Sequence, residues 1–144
     1  MAAKSFDVSW LTDPKDERQL RQLSAEVDSL SGRQMLTAEE FEQLFGVFER
    51  FPDDDGYESF WQILHCLESF KGCEQFLVRS VRRRPCRFNI TMVNRLLNSG
   101  ISEVQGDPLV ALLENVARSA TKDPGVASLA KVFLNHQERQ RSGA

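Results

Sequence analysis

The sequence predicts an all-α domain, and three observations support this prediction. Apolar residues recur every three or four positions over most of the chain, residues that cap or end helices separate these patterns, and no run alternates β-branched with polar residues. A chain of 144 residues that is 41% hydrophobic can bury one continuous core. We therefore expect a single helical domain over residues 1–144, with flexible ends at residues 1–12 and 138–144.

The first two helices are marked by their capping residues. The pair Asp13-Pro14 predicts a helix over about residues 14–30, because aspartate accepts hydrogen bonds from free N–H groups and proline fits the first turn. The stretch TAEE, which begins at Thr37, fits a capping box for a second helix that ends before Pro52. The expected core positions are Leu20, Leu23, Val27, Leu30, Phe41, Leu44, Phe45 and Phe48.

Three further helices follow in the middle of the chain. The third is expected to begin at Asp53–Asp55 and to carry Tyr57, Phe60, Trp61, Leu64 and Leu67. The fourth should span residues 73–83 and end before Pro85. The fifth should span about residues 89–98, with Gly100 as a left-handed C-cap.

The last two helices are expected after the pairs Asp107-Pro108 and Asp123-Pro124, and the polar chain from Gln137 onward is expected to fray. Helices joined by such short turns pack roughly antiparallel, which leaves two architectures open: a compact bundle or a short HEAT-like stack of helical hairpins. The spacing of about 16 to 18 residues between helices favours the stack. The expected core positions are Leu109, Leu112, Leu113, Val116, Val126, Leu129, Ala130, Phe133 and Leu134.

Composition predicts a soluble, cytoplasmic protein. No segment reaches the roughly 18 to 20 apolar residues that a membrane span needs, so no membrane partner is expected. The three cysteines, Cys66, Cys73 and Cys86, are odd in number and form no CxxC pair, which indicates reduced thiols.

Charge is unevenly distributed along the chain. Residues 1–74 carry 16 acidic and 7 basic side chains, a net charge of −9, whereas residues 75–144 carry 5 acidic and 11 basic side chains, a net charge of +6. The whole chain has a net charge of −3. The molecule is therefore strongly dipolar along its sequence.

The acidic stretch Asp53-Asp54-Asp55-Gly56 has three possible roles: a metal loop, a helix start or a partner surface. An EF-hand needs glycine at position six, but this register places Phe51 and Gln62 at the first and twelfth ligand positions, so no metal is expected. One aspartate is enough to start a helix, which leaves surplus negative charge beside aromatic residues, as at protein interfaces. The predicted partner-binding residues are Glu49, Asp53, Asp54, Asp55, Tyr57 and Glu58.

A basic run follows in the second half of the chain and also has several possible roles. It can be a solvated helix end, it can pair with acidic residues of the same chain, or it can bind phosphate. We do not expect nucleic acid as the main partner, because a protein with a pI near 5.4 lacks the basic character of such binders. The residues of this alternative basic patch are Arg79, Arg82, Arg83, Arg84 and Arg87.

No motif in the sequence predicts catalysis. His65, His136 and the cysteines could pair in space as nucleophile and base, but no oxyanion element accompanies them. Zinc-ligand spacings and phosphate-binding glycine motifs are also missing from the sequence. We therefore expect a binding protein with no catalytic residues and no cofactor.

Three stretches, GYESFWQILHCLES, RRRP and NRLLNSG, carry a resemblance over about residues 56–106, with a looser match to Gln137. The chain resembles small all-helical bacterial immunity proteins, which are encoded beside polymorphic toxins of type VI secretion or contact-dependent inhibition systems. The resemblance implies a cytoplasmic protein that binds a cognate protein toxin and occludes or locks it, without catalysis or cofactor. Many such toxins are nucleases, whose basic grooves would complement an acidic surface. The alternative is a helical-repeat scaffold that binds a peptide or nucleic acid through the basic patch.

Overall fold

A computed structural model describes residues 6–119 and 123–142, and these residues form seven α-helices and one short antiparallel strand pair. The all-α prediction is confirmed. The elements in chain order are α1 (Glu17–Asp28), α2 (Ala38–Arg50), α3 (Ser59–Glu68), α4 (Cys73–Arg83), α5 (Arg87–Asn98), β1 (Glu103–Val104), β2 (Asp107–Pro108), α6 (Leu109–Arg118) and α7 (Pro124–Ser142).

The helices form a compact bundle around α5. This helix contacts α2, α3, α4, α6 and α7. The buried apolar side chains form one core, to which all seven helices contribute. Near its centre, the ring of Phe88 stacks on Phe48 at 5.2 Å and meets the edge of Phe60 at 5.8 Å between ring centroids.

The hydrogen bonds at two helix starts show which residue caps each helix. At α2 the predicted capping box is confirmed: the Glu40 N–H donates to Thr37 Oγ1 at 3.1 Å, and the Thr37 N–H donates to Glu40 Oε1 at 2.8 Å. At α1 the helix is confirmed but its predicted start was wrong, because it begins at Glu17 and Asp16 rather than Asp13 caps it. Asp13 instead closes a turn by accepting the Lys15 N–H at 2.9 Å.

Helix α5 begins at Arg87, two residues before the predicted start at Asn89. The Asn89 side chain reaches back from the first turn, and its Oδ1 accepts the Cys86 N–H at 2.8 Å. The predicted C-cap is confirmed: Gly100 has φ +95°, and the Ile101 N–H donates to the Leu96 carbonyl at 3.0 Å.

The N-terminal segment packs against α2 as far as the structure describes it. Val8 and Leu11 are buried, and the Arg50 guanidinium donates to the Val8 carbonyl at 2.9 Å. The Val8 N–H donates to Gln43 Oε1 at 3.1 Å. Flexible ends were expected at residues 1–12 and 138–144, of which residues 1–5 and 143–144 lie outside the described range.

The expectation that the chain frays from Gln137 is wrong. Helix α7 continues to Ser142, and the Gln137 side chain is buried against α5. Its amide Nε2 donates to Asn94 Oδ1 at 2.7 Å and to Asn98 Oδ1 at 2.9 Å. A polar residue in a polar sequence can thus be part of the core when its amide is paired.

The strand pair was not predicted from the sequence. Residue 103 pairs with 108 and residue 104 with 107, around a two-residue turn in which Gln105 has φ +50° and Gly106 has φ +85°. Positive φ at both central residues is typical of a type I′ hairpin turn. Two-residue strands are too short to show alternation, so the pattern could not reveal them. No helix among the described residues has both the length and the apolar character needed to cross a bilayer.

Candidate partner-binding surface

The three aspartates turn the chain ahead of α3 and do not cap it, so the prediction that they begin the helix is wrong. Asp54 Oδ1 accepts the Gly56 N–H at 2.8 Å, and Asp55 Oδ1 accepts the Tyr57 N–H at 3.1 Å. Each contact is an Asx turn, in which a carboxylate binds the backbone two residues on. Helix α3 begins only at Ser59.

Three consecutive residues before α3 have a left-handed backbone. Gly56 has φ +56°, Tyr57 has φ +49° and Glu58 has φ +72°. Glycine is required at the first position, because an added Cβ would lie 2.7 Å from Cε1 of the buried Phe60 ring. At the two other positions the conformation costs about 1 to 2 kcal/mol each for a residue with a Cβ. The fold holds this strained turn in place through the two Asx turns and the Phe60 contact.

The strained turn presents Tyr57 to solvent. The Tyr57 side chain is 62% exposed, and the Lys15 ammonium lies 4.6 Å from the centre of its ring and 3.4 Å from Asp54 Oδ1. A shallow cleft of about 490 Å³ separates Tyr57 from α1 and is lined there by Glu17, Leu20, Arg21 and Ser24. No pattern in the sequence indicates Lys15 or this α1 wall, because only the folded chain brings them beside residue 57.

The neighbouring aromatic residues divide between core and surface. Phe60 is fully buried, whereas Trp61 is 38% exposed and its ring meets the edge of Phe88 at 5.2 Å. Tyr57 and Trp61 are therefore the exposed aromatic residues beside the acidic turn, and Glu58 lies between them in the sequence. We call Glu17, Tyr57 and Glu58 the Tyr57 surface.

The structure separates the other predicted site residues from Tyr57. The Asp53 carboxylate lies against the start of α7, where Oδ2 would be 2.9 Å from a Cβ added to Gly125. The Glu49 carboxylate faces α4: it accepts from Ser80 Oγ at 2.8 Å and from Arg83 Nε at 2.6 Å. Its side chain is only 12% exposed. Glu49 thus joins α2 to α4, while Asp54, Asp55, Tyr57 and Glu58 share the turn.

The basic patch is largely paired within the chain, which was one of its predicted roles. Arg83 binds Glu49 and also Glu42, at 2.9 Å, so it joins the basic half to the acidic half. The hydrogen bonds that Arg83 donates to Glu49 raise the pKa of Arg83 further above its usual range. The remaining contacts are Arg82 to Asp107 at 2.6 Å, Arg84 to Asp123 at 3.2 Å, and the Arg79 guanidinium over the Phe76 ring at 5.2 Å.

Arg87 has a different role, since its backbone N–H donates to the Pro52 carbonyl at 2.6 Å while its side chain is exposed. This bond ties the start of α5 to the acidic turn. Carboxylates thus compensate the charge of Arg82, Arg83 and Arg84, and the surface left for phosphate binding is smaller than the sequence suggests.

The cysteines have environments that oppose nucleophilic activity. Burial raises the pKa of the Cys86 thiol to about 12 and also raises the pKa values of Cys73 and Cys66. A thiol nucleophile needs the opposite shift, because the reactive form is the thiolate. These three side chains are therefore protonated near neutral pH and contribute to packing.

No group of three or more histidine, cysteine, aspartate or glutamate side chains that could hold a metal ion lies within residues 6–119 and 123–142. Comparison with known proteins gave no match: no protein-family model, curated protein or solved structure is similar to the chain. The functional conclusion therefore depends on the residues and their geometry.

Proposed function

We propose that this chain is a cytoplasmic immunity protein, which binds a cognate bacterial protein toxin and neutralises it by occluding or locking it. The contact is assigned to the Tyr57 surface. The partner supplies the toxic activity, and the immunity protein supplies only binding.

The observation that carries the proposal is the exposure of Tyr57 on a strained turn. Two consecutive residues with side chains adopt left-handed φ values, and the result is a tyrosine ring that is 62% in solvent. Strain of this kind persists where the surrounding structure enforces it, and it is concentrated at functional sites. Tyrosine and tryptophan are also the residues most often found at the energetic centre of protein interfaces.

The charge of the Tyr57 surface favours a basic partner. Glu17 and Glu58 have no ion-pair partner among the described residues, and Asp54 and Asp55 lie in the turn just before Tyr57, where Asp54 pairs with Lys15. Lys15 is a cation near these acids, and its ammonium group lies over the Tyr57 ring. A toxin that acts on nucleic acid has a basic substrate groove, and complementary charge would accelerate its capture and exclude wrong partners.

The first experiment tests immunity itself. The gene immediately upstream is expected to encode a large secreted protein with a variable C-terminal toxin domain. Expression of that domain alone should stop bacterial growth, co-expression of this chain should restore it, and the two purified proteins should form a complex in calorimetry. Growth arrest that this chain does not relieve, together with no measurable complex, would contradict the proposal.

The second experiment locates the contact. Tyr57→Asn removes the ring but keeps a residue that tolerates left-handed φ, so the turn should be retained. Loss of a central tyrosine from an interface costs about 2 kcal/mol or more, which is about a thirtyfold weaker Kd. Glu58→Lys should mainly slow association, with an effect that shrinks as salt is added.

The matched control is Met35→Asn, because Met35 is 71% exposed and lies in the loop after α1, whereas Tyr57 lies beside the first turns of α1. This control should bind like the unchanged protein. If Tyr57→Asn and Met35→Asn bind with equal affinity, the Tyr57 surface is not the contact, even where growth rescue supports immunity.

A further inference from the structure

A second cavity, separate from the Tyr57 surface, lies between the N-terminal segment, α1 and α2. Its volume is about 320 Å³, which is within the range of small-molecule sites. Helix α1 contributes Gln22 and Glu26 to this cavity, whereas the cleft beside Tyr57 takes Glu17, Leu20 and Arg21. With 3.6 residues per turn, these two sets lie on opposite faces of α1.

Aromatic side chains form one wall of the cavity. Trp10 and Phe6 line it, and both are half-buried. The Trp10 Nε1–H donates to the Asp7 carbonyl at 3.0 Å, which fixes the orientation of the indole ring. The sequence alone does not indicate this aromatic wall, because Phe6 and Trp10 lie beside α1 only when the N-terminal segment packs against it.

The charged groups that line the cavity are mostly acidic: three carboxylates and one guanidinium. Arg33 is bonded directly to Glu40, so these two charges compensate each other. Hydrogen bonds from Ser9 lower the pKa of Asp7, which is therefore ionised near neutral pH, and Arg50 also attracts it. Glu26 has no hydrogen-bond or ion-pair partner for its carboxylate among the described residues, although it is half-buried.

We propose that this cavity binds an organic cation, a guanidinium or primary ammonium group on a short aliphatic chain, between Glu26 and the Trp10 ring. An aromatic face and a carboxylate both attract such a cation, and both attractions are stronger where water is partly excluded. Gln22 offers an additional acceptor at the wall. The proposal does not depend on the immunity function, because the cavity and the Tyr57 surface lie on opposite sides of α1.

Fluorescence of Trp10 tests the proposal in the full-length chain. The protein has two tryptophans, so Trp61→Phe leaves Trp10 as the only indole. The probe is butylguanidinium at constant ionic strength, and butylurea is its neutral isostere. We expect a saturable change in Trp10 emission with butylguanidinium, with an affinity about tenfold or more above that of butylurea.

Two variants test whether the change in Trp10 emission depends on the Glu26 carboxylate. Glu26→Gln should weaken butylguanidinium binding about tenfold and remove the preference over butylurea, because the charge-assisted contact is lost. Glu39→Gln is the matched control, since Glu39 is an exposed acid on α2 that does not line the cavity. If Trp61→Phe lowers stability, the Trp10 indole N–H resonance of the unchanged chain gives the same titration by NMR.

One further titration separates the sources of the cation. A capped Ala-Arg-Ala peptide that binds as well as butylguanidinium would identify the ligand as an arginine side chain of a protein, and a much weaker peptide would identify a free small molecule. The proposal is overturned by a linear, unsaturable response, by equal affinity for butylurea, or by unchanged binding in Glu26→Gln.

Discussion

Replacing Gly56 with alanine tests whether the strained turn before α3 is fixed by the core. Gly56 has φ +56°, and an added Cβ would lie 2.7 and 2.8 Å from two carbons of the Phe60 ring and 3.4 Å from Leu20 Cδ2. Contacts below 3.0 Å require something to move. Phe60 is fully buried and packed against other rings, so its ring has little room to retreat.

The expected cost of this change has two parts. Left-handed φ costs a residue with a Cβ about 1 to 2 kcal/mol, and overpacking a filled core costs about 1 to 3 kcal/mol. Alanine also restricts the unfolded chain, which offsets about 0.4 to 1 kcal/mol and leaves a net loss of about 1 to 4.6 kcal/mol. Unfolding entropies near 2.1 cal/mol/K per residue correspond to about 0.3 kcal/mol/K for 144 residues, so Tm should fall by about 3 to 15 °C.

Thermal unfolding followed by circular dichroism measures the change, and two other glycines provide controls. Gly72 has φ +87° but open space around it, so Gly72→Ala should show only the backbone cost less the same unfolded-chain gain, a fall of about 0 to 5 °C. Gly32 has neither positive φ nor a close neighbour, so Gly32→Ala should show only the gain and raise Tm by about 1 to 3 °C. If Gly56→Ala is no less stable than Gly72→Ala, the close contact with Phe60 does not hold the turn.

Two further predictions concern buried polar groups and are checked by urea unfolding. Burial raises the pKa of Glu40, but hydrogen bonds from Thr37 and Arg33 outweigh it and lower the pKa overall. The ionised carboxylate therefore stabilises the fold above its ordinary pKa, and this contribution is lost as pH falls through the lowered value. Glu40→Ala should lower the free energy of unfolding by about 1 to 2 kcal/mol near pH 7 and by progressively less in acid. A loss of stability that does not change with pH would contradict this. Gln137→Ala should lower the free energy of unfolding by about 1 to 3 kcal/mol, because it leaves the buried Asn94 oxygen without its donor. Gln140 is exposed, and Gln140→Ala should change the free energy of unfolding by no more than about 0.5 kcal/mol. Equal losses for the two variants would show that the buried amide contributes nothing.

Fold features that depend on a few adjacent residues could be predicted from the sequence. The capping box at Thr37 and the left-handed Gly100 each involve contacts within five positions, so residue type and spacing are sufficient to identify them. The same locality explains why seven helices were expected and found among the described residues. The choice between bundle and stack was not local, because it depends on which helices α5 meets.

The acidic turn shows where local patterns become ambiguous. An aspartate can accept the N–H groups of a helix start or the N–H two residues on in an Asx turn, and both suit a position before an apolar helix. Left-handed φ at Tyr57 and Glu58 could not be expected, since neither residue type favours it. The exposed aromatic and acidic character of the site was therefore predicted, but the turn that presents it was not.

Charge pairing was predictable in kind but not in detail. The sequence indicated that the basic run could pair with acids of the same chain, and Arg83 does so with Glu49. These residues are 34 positions apart, so only the packing of α4 on α2 selects this pair. Glu49 could be assigned to the partner surface from its proximity in sequence to the aspartates, yet α2 turns it toward Arg83.

The contact between Asp53 and Gly125 couples the acidic turn to the start of the last helix. A side chain at residue 125 would require the Asp53 carboxylate to move, because its Oδ2 would lie 2.9 Å from the added Cβ. Asp53 is exposed and can rotate away, so a side chain at 125 should change the direction in which the carboxylate of residue 53 points. A substitution in the first turn of the last helix would in this way alter the acidic turn, although the two are far apart in the sequence.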